Sequence, residues 1–349
     1  MDRLSVTATI EAMPARSFAL LTLLIATSAS AQDSVRSVHA RVHQSGTLRN
    51  PRIMGLQRPQ AAQSSQPQQV DEEDSLYLRF PSTGTNQASS QTPTIHRSPP
   101  VIVSRQQRNV LWVLAAEGDE TEIYASDTTG RDLGTWRVDA LYTEWTALAV
   151  GRCNQKTCIY IGDLGDSLGR RGTVQLYRFE EPLLAFDRIP RTYSVTGVQK
   201  IILGYPDGAR DARALSVTSD GTVLILTSGF DGKSRLYSVS PDAWFRGSAR
   251  VDAHSAGTVA VDIHHHGPLT GITRTATGGF VARQANRLTF LSRGPGGMVS
   301  DPSRPACELP ASDQSGLGVD WLDSRRFIMS TVQGFNPTPL LSIAECPGP

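Results

Sequence analysis

The sequence predicts an all-β chain folded as a β-propeller of five blades, with a sixth left open, closed by an N-terminal strand. Three observations carry this. Paired strand-like runs recur with anchors at Tyr124, Tyr177, Tyr237, Phe290 and Leu341, at intervals of 53, 60, 53 and 51 residues. A period near 50 with several short strands per unit is the spacing of propeller blades. A run of small and aliphatic residues precedes each unit, as an innermost strand requires where sheets converge and bulk is excluded. Finally, 30 Gly and 21 Pro exceed an average share and punctuate the strand runs. A two-sheet sandwich also shows evenly spaced turns, but has no reason to repeat at this period.

The chain begins with a leader. A basic Arg16 precedes the apolar run Phe18–Ala26, and Ala29-Ser-Ala31 offers an Ala-x-Ala cleavage signal before Gln32. Residues 1–31 therefore read as a secretory signal peptide, whose apolar run is too short for the roughly 20 residues of a membrane anchor. Asp2 and Glu11 are unusual in such a leader, which leaves Met13 as an alternative start. No later stretch is long and apolar enough to span a bilayer. Export is expected, to a periplasmic or extracellular location.

Residues 32–70 are rich in Gln, Ser and Pro and lack a helical or strand period, so they read as a disordered linker. Residues 71–349 form the propeller domain. Leu76–Phe80 is one short strand, and residues 82–98 return to Ser, Thr, Gln and Pro. Five pairs of runs follow: Leu111–Leu114 with Ile123–Tyr124, Ile159–Ile161 with Leu176–Tyr177, Val223–Leu226 with Leu236–Tyr237, Phe280–Ala282 with Thr289–Phe290, and Phe327–Met329 with Leu340–Leu341. The innermost strands are expected at Val101–Val103, Thr146–Val150, Ala212–Val217, Leu269–Ile272 and Gly316–Val319. The last unit lacks an outer strand, and Leu76–Phe80 is the candidate to pair with residues 338–345 and spare two open edges.

The four cysteines all follow the leader, an even number suited to an oxidising compartment. Four cysteines allow three connectivities. Cys153 and Cys158 flank a short turn between strand runs, so a bridge across that hairpin is preferred, leaving Cys307 with Cys346. A zinc site lacks Cys-x-x-Cys spacing and a nearby His. Charge excludes another class: 34 Lys+Arg against 33 Asp+Glu give a net charge of +1, without the basic footprint of nucleic-acid binding.

Chemistry has few signals. Acidic stretches lie in loops expected on one face around the axis: Glu117-Gly-Asp-Glu120, Glu144, Asp163 and Asp166, and Asp207 and Asp211. Converging carboxylates suit Ca²⁺, which takes six to eight oxygen ligands. Asp beside Gly is equally ordinary turn chemistry. Arg210 and Arg213 are candidates to contact an anionic substrate. In His264-His-His266 only His264 and His266 share a face if the segment is a strand, so a metal role there is disfavoured against an exposed loop. Nucleophile-elbow, phosphate-loop and zinc-protease motifs are absent. The aromatics Trp112, Tyr124, Tyr160, Tyr177 and Tyr237 fall on strand positions and read as packing.

Four segments in order, Trp145–Gly151, Cys158–Asp166, Leu176–Pro182 and Tyr205–Leu215, resemble a group of exported bacterial β-propeller proteins loosely related to phytase-like and esterase-like propellers. The likeness spans roughly residues 108–346 and is clearest over 142–228. It implies recurring Glu residues around the axis. This chain has Thr146 in Glu144-Trp-Thr-Ala147, Arg213 in Asp211-Ala-Arg-Ala214 and Leu317 in Gly316-Leu-Gly318 at those places. Such replacements lower divalent-metal affinity and remove general bases. The function expected is therefore a non-catalytic module that binds a protein or small-molecule ligand, or acts as a scaffold. The alternative is a Ca²⁺-dependent phosphoester or carboxylic ester hydrolase, with Glu144, Asp163, Asp166, Asp207 and Asp211 holding the metal. A structural surface protein tethered by its N-terminal segment is a third reading.

Overall fold

Five inner strands meet around one axis in the computed structural model, which describes residues 76–79, 99–114, 121–184, 192–246, 250–310, 316–332 and 339–347. These all belong to a single compact unit, residues 52–349. The leader and linker of the sequence reading lie outside the described residues. Blade 1 is built from Val101–Val103, Val110–Leu114, Glu122–Asp127 and Asp132–Arg137. Blade 2 comprises Ala147–Cys153, Lys156–Asp163, Val174–Glu180 and Gln199–Gly204. Blade 3 has Ala212–Val217, Val223–Thr227, Arg235–Val239 and His254–Val259, and blade 4 has Gly271–Arg274, Phe280–Gln284, Arg287–Gly294 and Gly297–Ser300. Successive strands within each blade pair antiparallel. The inner strands are neighbours in the cyclic order 1-2-3-4-5-1, which makes the molecule a five-bladed propeller.

Blade 5 contributes only Val319–Trp321, Arg326–Val332 and Pro339–Glu345 from the C-terminal region. Its outer strand is the N-terminal Leu76–Arg79, antiparallel to Pro339–Glu345 with Leu76 opposite Ile343 and Arg79 opposite Leu340. Chain closure by the early strand thus follows the sequence expectation, with Phe80 outside the described residues. Two further segments extend the outer edges as parallel strands: Thr192–Ser194 beside blade 1 and Arg250–Asp252 beside blade 2. The outer strands of blades 3 and 4 pair with each other in parallel, Thr258 opposite Gly297, and fuse two blades into one sheet.

Packing explains the repeat. Each gap between blades holds its own apolar cluster, built from alternate faces of the two flanking sheets. Trp112, Ile123, Trp136, Leu148 and Phe179 fill the gap between blades 1 and 2. Tyr160, Leu203, Leu215 and Ile225 fill the next, then Leu224, Leu236, Ile272 and Phe280, then Val281, Phe290, Val319 and Phe327. Val101, Leu111, Val113, Ile328 and Leu341 seal blade 5 against blade 1. Since both faces of most blades are buried, the central strands read as continuous apolar runs rather than alternating ones. Trp112, Tyr160, Tyr177 and Tyr237 are buried, as the packing reading expects.

Small inner-strand residues reflect close approach. A Cβ on Gly271 would lie 2.8 Å from the Gly318 backbone, and one on Gly151 would meet Val217 at 2.4 Å. Three inner strands start later than the sequence suggests, at Ala147 rather than Thr146, at Gly271 rather than Leu269 and at Val319 rather than Gly316. Gly318 has φ +76°, outside the β region, and its N–H donates to the Thr270 carbonyl at 2.8 Å, so this segment serves as a bridge between blades before the strand begins. Arg283, fully buried in blade 4, donates to the carbonyls of Gly318 and Ser330 at 2.9 and 2.7 Å and ties blade 4 to blade 5.

Cys153 is bonded to Cys158 across the inner hairpin of blade 2, and Cys307 to Cys346. Both pairings match the preferred connectivity. Among the described residues no helix is long and apolar enough to cross a membrane.

Candidate functional site

The propeller axis opens at two mouths. One gathers the loops leading into the inner strands and the turns between second and third strands; the other gathers the hairpin turns that follow the inner strands.

The first mouth holds the acids singled out from the sequence. Asp163, the last residue of its strand, is fully buried, and its Oδ1 accepts the Glu144 N–H at 2.7 Å and the Arg171 guanidinium at 3.0 Å. Arg171 also donates to the Gly165 carbonyl at 2.7 Å. Asp166 accepts the N–H groups of Arg170 and Arg171 at 2.8 and 2.9 Å, which folds the turn around its carboxylate. Its own N–H donates to Asp211 Oδ1 at 2.8 Å, and Asp211 Oδ2 receives Arg213 Nε at 2.8 Å. The Arg213 guanidinium lies 5.5 Å from the Phe230 ring centre.

Glu144, Asp163, Asp166 and Asp211 are thus linked in one network, in which Asp163, Asp166 and Asp211 are held by N–H donors. Asp163 Oδ2 is the exception, buried with no hydrogen-bond partner among the described residues. Thr146 Oγ1 donates to the Ala212 carbonyl at 2.8 Å, and so couples blade 2 to blade 3. Leu317 is buried. Of the three positions where the resemblance implies Glu, one carries a blade-joining hydroxyl, one a guanidinium and one an aliphatic side chain.

Asp207 stands in a second group. It pairs with Arg210 at 2.9 Å and Arg235 at 3.5 Å, and its Oδ1 accepts the Tyr237 hydroxyl at 2.6 Å. Burial pushes the Asp207 carboxyl up, but hydrogen bonds from Tyr237 and Arg210 more than offset this and hold it below the usual value. Burial, aided by Asp207, pushes the Tyr237 phenol up to about 12. The Tyr205 phenol, packed against Tyr237 at 4.8 Å, is raised by complete burial.

The described residues bring no three His, Cys, Asp or Glu together as a ligand set. The physical reason is visible in the partners. Guanidinium groups sit on Asp163, Asp207 and Asp211, where a hard cation needs bare oxygens. The residues present therefore do not fit a Ca²⁺ centre of the expected composition. Arg210 and Arg213 are likewise engaged with Asp207 and Asp211 rather than presented to an anion. Glu117, Asp119 and Glu120 lie outside the described residues.

His264, His265 and His266 form a helical turn, Ile263–His266, rather than a strand or irregular loop, because Asp262 caps it by accepting the His265 N–H at 3.0 Å. His265 then turns to Asp262 and His266 to Asn286, at 2.6 and 2.9 Å.

At the second mouth lies a cavity of about 480 Å³. Residues of all five inner strands line it, which places it on the axis. Each inner strand has a strand partner on one side only, so backbone donors and acceptors also face this space. Its charged lining is Arg105, Arg152, Lys156 and Arg274 against the single carboxylate of Asp320. Asp320 is buried in the inner strand of blade 5. It accepts the Val103 N–H at 2.7 Å and the Trp321 N–H at 2.9 Å, and is bonded to Arg105 and to the Thr273 hydroxyl. Arg105 also stacks on Trp321, 4.3 Å from its ring centre. One carboxylate thereby joins blades 1, 4 and 5. The sequence reading missed it because the expected inner run ended at Val319; a charged residue beside such a run was the available signal.

No protein-family model matches the sequence, and no curated protein matches it. Among solved structures, the chain is similar to a luciferin-regenerating enzyme, with a TM-score of 0.38 and 9% identity over 72% of this chain and 93% of that one. It is also similar to a gluconolactonase from Xanthomonas campestris, with a TM-score of 0.36 and 15% identity over 68% of this chain and 69% of that one.

Proposed function

We propose that this chain is an exported β-propeller that acts as a non-catalytic ligand-binding or scaffolding module. The observation that carries the reading is the Arg213–Asp211 ion pair at 2.8 Å, beside the buried Arg171–Asp163 pair. A carboxylate at position 213 would add a ligand or a general base; a guanidinium there neutralises the acid next to it instead. The two disulfides suit the oxidising compartment that the leader implies.

A second reading, an ester or phosphoester hydrolase dependent on Ca²⁺, has one observation in its favour: the buried Asp163 Oδ2 without a hydrogen-bond partner. Thermal melting with and without millimolar calcium, run beside release of nitrophenol from p-nitrophenyl phosphate and p-nitrophenyl acetate, separates the two. The binding module shows no calcium-dependent rise in Tm and no turnover. A rise that disappears in Asp163→Ala and Asp166→Ala, accompanied by turnover, would establish the hydrolase instead.

A further inference from the structure

We propose that the cavity at the hairpin mouth of the axis binds a small oxyanion-bearing molecule, its phosphate or carboxylate group held by Arg274 and Arg152. This rests on the binding-module reading and names its ligand class. The cavity, about 480 Å³, falls in the range of about 300–1,000 Å³ usual for small-molecule sites. What matters is which of its charges are already spent. Asp320, its one acid, is filled by two backbone N–H groups, the Thr273 hydroxyl and Arg105. That contact also accounts for Arg105. Lys156 is paired with Glu180.

Two guanidinium groups are left. Among the described residues Arg152 donates only through Nε, to the Asn154 carbonyl at 2.8 Å, leaving its terminal N–H groups. Arg274, half-buried at the end of its inner strand, has no hydrogen-bond or ion-pair partner among the described residues. Two uncompensated guanidinium groups at a concave mouth concentrate positive potential, because low-dielectric walls focus the field there. Their planar forks match the paired oxygens of a carboxylate or phosphate. A nucleic acid would need a broad basic surface, which a net charge of +1 does not supply.

Calorimetric titration of the full chain with inorganic phosphate and, separately, with citrate tests the assignment. One-to-one binding is expected, weakened by added salt. Arg274→Gln and Arg152→Gln are each expected to weaken it by about tenfold, the loss of one charge-assisted hydrogen bond. Arg246→Gln, an exposed arginine outside the cavity lining, should leave it unchanged. Arg274 has no polar partner among the described residues to lose, so its variant should retain the wild-type melting profile. Binding of phosphate alone or citrate alone supports the site and identifies the group it takes. No binding of either probe at millimolar concentration, or binding that is unchanged in both variants, overturns the assignment. Turnover of p-nitrophenyl phosphate that depends on Asp163 would defeat the binding-module reading through a different measurement, and leaves the calorimetric outcome to be judged separately.

Discussion

Replacing Asp320 with Ala should loosen the ring where its last blade meets its first. The carboxylate accepts the Val103 N–H of blade 1 and the Thr273 hydroxyl of blade 4, and pairs with Arg105. Its own side chain is only 3% exposed, whereas that of Arg105 is 25% exposed. Removing one partner of a buried charge pair costs about 3–5 kcal/mol, mostly the penalty of leaving the other partner uncompensated. Here Arg105 can rehydrate through the adjoining cavity, which places the loss near the lower limit, about 3 kcal/mol. For a β domain of this size, that corresponds to a fall in Tm of about 6–12 °C. Urea unfolding at neutral pH measures it, with an unchanged m-value showing that the denatured state is not what moved. Thr273→Val removes a single hydrogen bond and should cost about 1 kcal/mol. In a double-mutant cycle, Arg105→Met and Asp320→Ala should be clearly non-additive. A loss below about 1 kcal/mol for Asp320→Ala, or additive behaviour, would refute the idea that this carboxylate fastens three blades.

Three further outcomes follow from the geometry. The Cys307–Cys346 bridge closes a sequence separation of 39 and Cys153–Cys158 one of 5, so chain entropy assigns them about 4 and about 2 kcal/mol; double Cys→Ala variants compared by urea unfolding should keep that order, and a reversed order contradicts it. Deleting residues 1–80 removes the strand Leu76–Arg79 and leaves Pro339–Glu345 as an open edge, so size-exclusion chromatography should show self-association and melting should fall; an unchanged monomer with unchanged Tm would argue against closure by this strand. Asp207 has its carboxyl held low in the folded state, so its contribution is present above the unfolded value near pH 4 and is lost as pH falls through the folded value. Asp207→Asn should therefore flatten the acid limb of stability, and should bring the Tyr237 phenol below about 12 in an ultraviolet titration; an unaltered Tyr237 titration would dissociate the pair.

The blade pattern was legible because it is local. A buried sheet demands apolar runs at fixed spacing, and Val110–Leu114, Lys156–Asp163, Val223–Thr227 and Phe280–Gln284 state it in residue types alone. Leu76–Arg79 could be assigned to blade 5 because one unit was short of a strand, and an open edge is costly. Strand starts were less legible. The late start at Val319 depends on Gly318 reaching Thr270 in another blade, a contact that residue types do not encode.

The acids show the limit of sequence reading most clearly. Glu144, Asp163, Asp166 and Asp211 are linked in one network, yet residue type does not say whether a carboxylate faces a guanidinium or bare space. That depends on Arg171, aimed by the loop after Asp163, and on Arg213, placed at an irregularity near the start of the strand Ala212–Val217. The opposite mouth was less legible still. Arg105, Arg152, Arg274 and Asp320 are scattered over four blades, and only ring closure brings them to one cavity. By itself, then, the sequence determined the β repeat, the cysteine pairing and the closing strand, all of which follow from periodicity and short-range spacing. Tertiary structure alone decided which charges are neutralised and which remain free, because electrostatic pairing is set by distances across blades.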